Sequence, residues 1–146
     1  MITDIRRVAK TLTKKYDTHD PFEIAKQMKI EYIIGPLGNR CGCYMYLKRH
    51  RCIFLNENLS DHEMKLVMAH ELGHAILHRT ENCYFIRNKT LLSTDKIELD
   101  ANKFAIELLL DTDTLNEYLE SGYSKEQISR ITGYNTSLIE LRLKNN

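Results

Sequence analysis

Residues 70–74 read His-Glu-Leu-Gly-His. Two histidines four positions apart share one face of an α-helix, about 40° apart around its axis and one turn apart along it. Their imidazole nitrogens then converge where a single cation can bridge them. Glu71 stands at the flank of that face, placed to reach a water on the ion rather than the ion itself. These are the donors and the general base of zinc-assisted hydrolysis. The rest of the helix is largely apolar: Leu66, Val67, Met68, Ala69, Leu72, Ala75, Ile76 and Leu77 leave little of its circumference polar. Measured from His70, His74 falls at about 40°, His78 at about 80° and Glu71 at about 100°. The polar groups of the second half thus crowd into one arc of a buried helix, where leaving them unpaired is costly.

A catalytic zinc site takes three protein ligands and keeps a fourth position open. Glu98 and Asp100 are the available carboxylates on a second helical stretch near residues 94–110. Ala105 and Leu109 fall within about 20° of Glu98, in the middle of an apolar arc. Asp100 falls about 200° away, beside Lys96, Lys103 and Glu107, on what reads as a solvated face. A carboxylate on a buried face needs a cation, which makes Glu98 the expected third ligand. Asn102 lies one turn after Glu98, where it can support a ligand. His78 has several readings: support for a ligand, stabilisation of the transition state, lining of the cleft, or a structural role. His19, His50 and His62 stand near turns or helix starts and read as surface residues.

Bulk composition excludes several classes. Net charge is +1, too balanced for a protein whose main task is gripping nucleic acid. The short basic run Lys48, Arg49 and Arg51 reads as a solvated turn. No stretch approaches the ~20 apolar residues of a membrane span, and the N-terminus lacks the apolar core and cleavage site of a signal peptide. A cytoplasmic location is expected. Of the cysteines Cys41, Cys43, Cys52 and Cys83, only the first two are close, as C-x-C, a poor spacing for structural zinc. They read as reduced thiols packed as small apolar groups.

The elements that must position the site alternate in an α+β order. A helix is expected over residues 4–18. A second opens at Asp20-Pro21-Phe22-Glu23, with an N-cap, a first-position proline and a glutamate three residues after the cap, and runs to about Met28. Strands are expected at Ile30–Ile34, Cys41–Leu47 and Arg51–Leu55, closely enough spaced to suggest a three-stranded antiparallel meander. Ser60 and Glu63 form a capping box ahead of a helix over Asp61–His78. Further helices follow at Thr94–Leu110, Lys125–Ile131 and Thr136–Leu143. Residues 1–121 read as the core, and 122–146 as a short helical hairpin packed on the same domain.

With these residues in place, the chain resembles the ImmA/IrrE family of metallopeptidases. The resemblance rests on Cys52-Ile-Phe-Leu-Asn-Glu-Asn-Leu59, on His70-Glu-Leu-Gly-His-Ala-Ile-Leu-His78, and on Glu98-Leu-Asp-Ala-Asn-Lys-Phe-Ala105 with the Leu108–Leu110 run. It covers about residues 50–111. The family pattern places the third zinc ligand at the position of Glu98. It implies a minimal thermolysin-like zincin fold, a small twisted sheet beside the active-site helix. It also implies an intracellular protease whose substrate is a helix-turn-helix transcriptional repressor, as in phages and mobile elements. Relatives often continue Leu-Leu with Met-Pro, where this chain has Leu110-Asp111, and no extra sensory domain is expected after the core. The segment from Ser124 to Gly133 with the helix after it is loosely like a helix-turn-helix. It reads better as a packing or substrate-docking hairpin, with no direct nucleic-acid partner expected.

The expected mechanism has His70, His74 and Glu98 on Zn2+ and Glu71 moving the proton. His78 and Tyr84 are candidates for a second oxyanion donor, and a substrate strand is expected beside residues 52–56. The competing reading is a zinc-stabilised module that sequesters a regulator without cutting it. Glu71 speaks against that reading, because a structural site has no use for a general base.

Overall fold

Side-chain caps start most of the helices. Asp4 accepts from the Arg7 amide at the head of α1 (Ile5–Tyr16), and Asp20 accepts from Phe22 ahead of Pro21 in α2 (Pro21–Gln27). The capping box of Ser60 and Glu63 forms at the start of α3 (Asp61–Leu77). A computed structural model describes residues 4–85 and 95–144. Within it, Asp95 caps α4 (Lys96–Leu109), so the helix expected from Thr94 begins slightly later; Thr94 itself lies outside the described residues. The sequence reading passed over α5 (Thr112–Glu120), which follows directly on Asp111. Helices α6 (Lys125–Thr132), opened by the Ser124–Gln127 capping box, and α7 (Thr136–Lys144) complete the chain. Among the described residues no helix is long and apolar enough to cross a membrane.

The α+β class is as expected, but the sheet is not a three-stranded meander. Its strands β1 (Glu31–Gly35), β2 (Gly42–Leu47), β3 (His50–Asn56) and β4 (Cys83–Phe85) lie in the order β1-β3-β2-β4. β2 and β3 form the expected antiparallel hairpin. Its two-residue turn, Lys48-Arg49, has positive φ at both positions (49° and 67°), the twist a tight hairpin requires. β1 instead runs parallel to β3 on its far side. The chain between β1 and β2 must therefore pass the end of β3, and Asn56 fastens it there. The buried Asn56 amide donates to Gly38 O (3.0 Å) and Arg40 O (2.8 Å), and its backbone amide donates to Cys41 O (2.9 Å). This order corrects one functional expectation. β3 is paired on both sides and has no edge to offer a substrate, whereas β4 is an edge strand among the described residues.

α3 lies between the sheet and α4, and every residue from Val67 to Ala75 is buried. Its apolar side joins Ile53, Leu55, Tyr44, Phe104 and Leu108 in the main core. Arg51 donates to Ala75 O at 3.2 Å, so one residue of the basic run secures the last turn of α3. A second cluster (Ile106, Leu110, Leu115, Ile128, Leu138 and Ile139) packs the C-terminal helices onto α4. His19, His50 and His62 are exposed, as expected; His19 Nδ1 also lies 3.1 Å from Leu108 O, and His62 stacks on Tyr134.

The solvated face expected of α4 is covered at Asp100 and Glu107, while Lys96 stays exposed. Asp100 is 9% exposed and Glu107 is 7% exposed. Periodicity assumed one covered face, but α3 covers one side of α4 while α1 and α7 cover the other. Glu107 meets the fully buried Arg142 of α7 at 3.4 Å, and Arg142 also donates to Leu110 O (2.9 Å) and Thr112 Oγ1 (3.1 Å). Breaking a buried pair leaves a charge without compensation, while replacing both partners with apolar groups is far milder. Arg142→Ala should lower unfolding free energy by about 3–5 kcal/mol. The double change Glu107→Leu with Arg142→Met should recover most of it, as read from urea denaturation midpoints.

Candidate metal centre

The site forms where α3 crosses α4, and two glycines allow the approach. A Cβ on Gly73 would stand 3.2 Å from both Ala101 Cα and Phe104 Cβ, so the bare residue lets the helices close to backbone distance. A Cβ on Gly42 would meet Val67 Cγ1 at 2.7 Å and Glu71 Cγ at 3.5 Å, so β2 lies directly against the Glu71 side of α3.

Those contacts bring His70, His74 and Glu98 together. His70 Nε2 lies 3.0 Å from Glu98 Oε2, and His74 Nε2 lies 3.0 Å from Glu98 Oε1. Both histidines and Glu71 are fully buried. His70 Nδ1 is 2.8 Å from Asn102 Oδ1, so Asn102 orients the ring as its position one turn from Glu98 foretold. His74 Nδ1 is 3.1 Å from His78 Nδ1, and His78 Nε2 is 3.4 Å from Asp100 Oδ2. Asp100 in turn pairs with Lys96. His78 and Asp100 thus form a chain behind His74, which is why Asp100 is buried. Support for a ligand is among the readings of His78 from sequence; the part of Asp100 is not, because the chain joins the C-terminal end of α3 to α4.

Proton placement tests whether a cation fits. With Asn102 accepting, the His70 proton sits on Nδ1, and its Nε2 lone pair then faces the Glu98 carboxylate. His74 donating from Nδ1 to His78 leaves the same clash at its Nε2. Burial lowers the His74 pKa, which disfavours escape by protonation. As a carboxylate, Glu98 would then present both oxygens to nitrogen lone pairs 3.0 Å away. Beside them, both Glu71 oxygens and His74 Nε2 have no hydrogen-bond partner among the described residues. Burial, then the charge of Glu98, raise the Glu71 pKa well above the usual carboxylate range. Two ligands on one zinc ion, each about 2.0–2.2 Å from it, lie at most ~4.4 Å apart. The 3.0 Å separations satisfy that limit, so the residues fit a divalent cation.

Of the oxyanion candidates, His78 is committed to His74 and Asp100. Tyr84 sits on β4, and its side chain lies outside the described portion. The free thiol of Cys83 falls beside the centre, which the C-x-C reading gave no reason to expect. A cavity of about 290 Å³ is lined by Lys10, His19 and Asp111, away from this cluster.

Two imidazoles four residues apart on one helix, met by a carboxylate from the next and flanked by a buried glutamate, define a helix-borne centre of the metallopeptidase kind. Comparison with known proteins agrees. Residues 25–144 match the peptidase M78 family, described as the IrrE N-terminal-like domain, and the chain belongs to that metallopeptidase family. It is similar to an uncharacterized immunity region protein 2 of Bacillus phage phi105, 38% identical over 141 residues, covering 96% of this chain and 89% of the relative. It is also similar to the metallopeptidase ImmA of Bacillus subtilis strain 168, 36% identical over 129 residues, covering 86% of this chain and 75% of that protein.

Residues that orient metal ligands are worth about 10–100-fold in metal affinity. Asn102→Ala and His78→Ala should each weaken zinc retention by about that factor in competition with a chromogenic chelator. Gly73→Ala should cost about 1–3 kcal/mol through overpacking. It should also reduce metal retention, because a forced separation of α3 and α4 moves Glu98 away from the histidines.

Proposed function

We propose that the chain is a zinc-dependent endopeptidase, with His70, His74 and Glu98 as metal ligands and Glu71 as the general base. We further propose that its substrate is a helix-turn-helix transcriptional repressor, cut at a specific site. The observation that carries the reading is the meeting of two imidazole nitrogens with both oxygens of one carboxylate, beside a buried glutamate that makes no hydrogen bond among the described residues. A purely structural site would account for the first part but not for Glu71.

When bound, zinc supplies Lewis acidity towards water and a peptide carbonyl, bringing the pKa of water down to about 7. The chain's own groups do the rest. One Glu71 carboxylate oxygen takes the proton of the attacking water and afterwards gives it to the leaving amine. A cation held by its neighbours would offset the Glu98 charge, the lesser of the two causes that raise Glu71 after burial, and so favour its ionised form. Asn102 and His78 hold the two imidazoles with Nε2 directed at the ion. Exclusion of water by the core around α3 strengthens each of these interactions.

An extended peptide would lie along β4, the edge strand whose Cys83 is next to the centre. Backbone pairing there presents a carbonyl to the site with little demand on side chains. Specificity for a repressor then depends on features outside the reacting bond. The repressor as substrate draws on the family and on the immunity-region name of the phage relative.

The test uses the repressor encoded beside the gene, incubated with wild type and with Glu71→Gln. The expected outcome is a defined pair of fragments from wild type, a rate about 10²–10⁴-fold lower for Glu71→Gln, and equal zinc content in both. Binding without cleavage by either protein would replace this reading with the sequestering module.

A further inference from the structure

We propose that Cys83 is a fourth protein ligand of the metal, giving the chain a closed resting centre of two histidines, one glutamate and one thiolate. This rests on the metallopeptidase reading above and adds a residue to it. The donor atoms of His74, Cys83 and Glu98 all lie within 4.8 Å of one another. Strand register puts the thiol there. Cys83 pairs with Tyr44 across β2 and β4, so its side chain shares a sheet face with Tyr44 and Gly42. That is the face packed on α3, as the closeness of Gly42 to Val67 and Glu71 shows. Cys83 is 9% exposed, so solvent does not separate it from the cluster.

A second feature points to a ligand: His74 is fully buried, and its Nε2 has no hydrogen-bond partner among the described residues, only the 3.0 Å approach of Glu98 Oε1 that an ion would relieve. Among the described residues the thiol makes a weak 3.9 Å contact to Glu81 O. Two imidazoles, a carboxylate and a thiolate are all zinc donors, and four of them complete a tetrahedral shell. Coordination breaks the S–H bond, forms a sulfur–metal bond and releases the proton to solvent, with no change of oxidation state.

The consequence is regulatory. Catalytic zinc sites keep one position open, whereas sites with four protein ligands are closed. With Cys83 in place neither water nor a peptide carbonyl has a position, so Cys83 must leave before hydrolysis. β4 is three residues long and paired on one side, and it is also the edge offered to a substrate. A peptide that pairs with β4 and shifts it therefore withdraws the thiolate, which ties activation to the presence of substrate.

Cobalt substitution reads this directly. Wild type, Cys83→Ser and Cys83→Ala are loaded with Co2+ and compared by absorption. Wild type should show a near-ultraviolet thiolate-to-cobalt charge-transfer band, and both variants should lose it. Both should keep visible d–d bands from His70, His74 and Glu98, which also shows that they fold. The zinc forms of the variants should cut the repressor faster than wild type. Metal uptake by wild type without the charge-transfer band overturns the proposal and leaves the metallopeptidase reading standing. So does a band that persists in the variants, because another cysteine then supplies it. Variants that cut no faster than wild type overturn the closed resting state. Failure of wild type to take up any metal sinks both readings. Should the variants not fold, alkylation of wild type decides: cobalt should shield Cys83 from iodoacetamide, and an unchanged rate refutes the assignment.

Discussion

A buried carboxylate set against two imidazole lone pairs is the constraint around which the molecule is organised. His70, His74 and Glu71 have no access to water, and the nitrogens of the two histidines lie 3.0 Å from the oxygens of Glu98. Without a cation, burial leaves a carboxylate beside acceptors and a glutamate with no hydrogen-bond partner among the described residues. With one, the same groups would serve as the proposed ligands and base. Part of the metal's binding energy is therefore stability of the α3–α4 contact, because the ion relieves a conflict that folding creates.

That contact depends on what is absent as much as on what is present. Gly73 brings α4 to backbone distance from α3, and Gly42 does the same for β2 on the opposite side. A β-carbon at either place would move an element that carries or covers a reacting group. The large apolar residues Met68, Leu72 and Phe104 then fill the space around the crossing and hold it rigid. Rigidity matters here, since the donors must meet at one point without further adjustment.

Behind the ligands, polar groups are satisfied in series. Asn102 takes the outer nitrogen of His70, and His78 takes that of His74 before passing to Asp100 and Lys96. The C-terminal helices hold α4 from the other side through Arg142 and Glu107. α4 is thus clamped on both flanks, and the position of Glu98 follows from packing along its whole length.

Local signals in the sequence determined a good deal. His70, Glu71 and His74 are legible because their geometry lies within one helix turn, and Glu98 because the apolar arc of α4 is periodic. Helix starts at Asp20, Ser60 and Ser124 are legible because a cap bonds to amides two or three residues away. Tertiary structure decided whatever depends on a neighbour distant in the chain. It made Asp100 and Glu107 buried rather than solvated, because helix periodicity marks one buried face and α4 has two. It set β1 parallel to β3, because strand order is chosen by pairing and by the Asn56 fastening rather than by spacing. It also brought Cys83 to the centre through β4, a strand too short to carry a periodic signal of its own. Thus the reactive helix was written locally, while the company it keeps was settled only when the sheet and α4 closed around it.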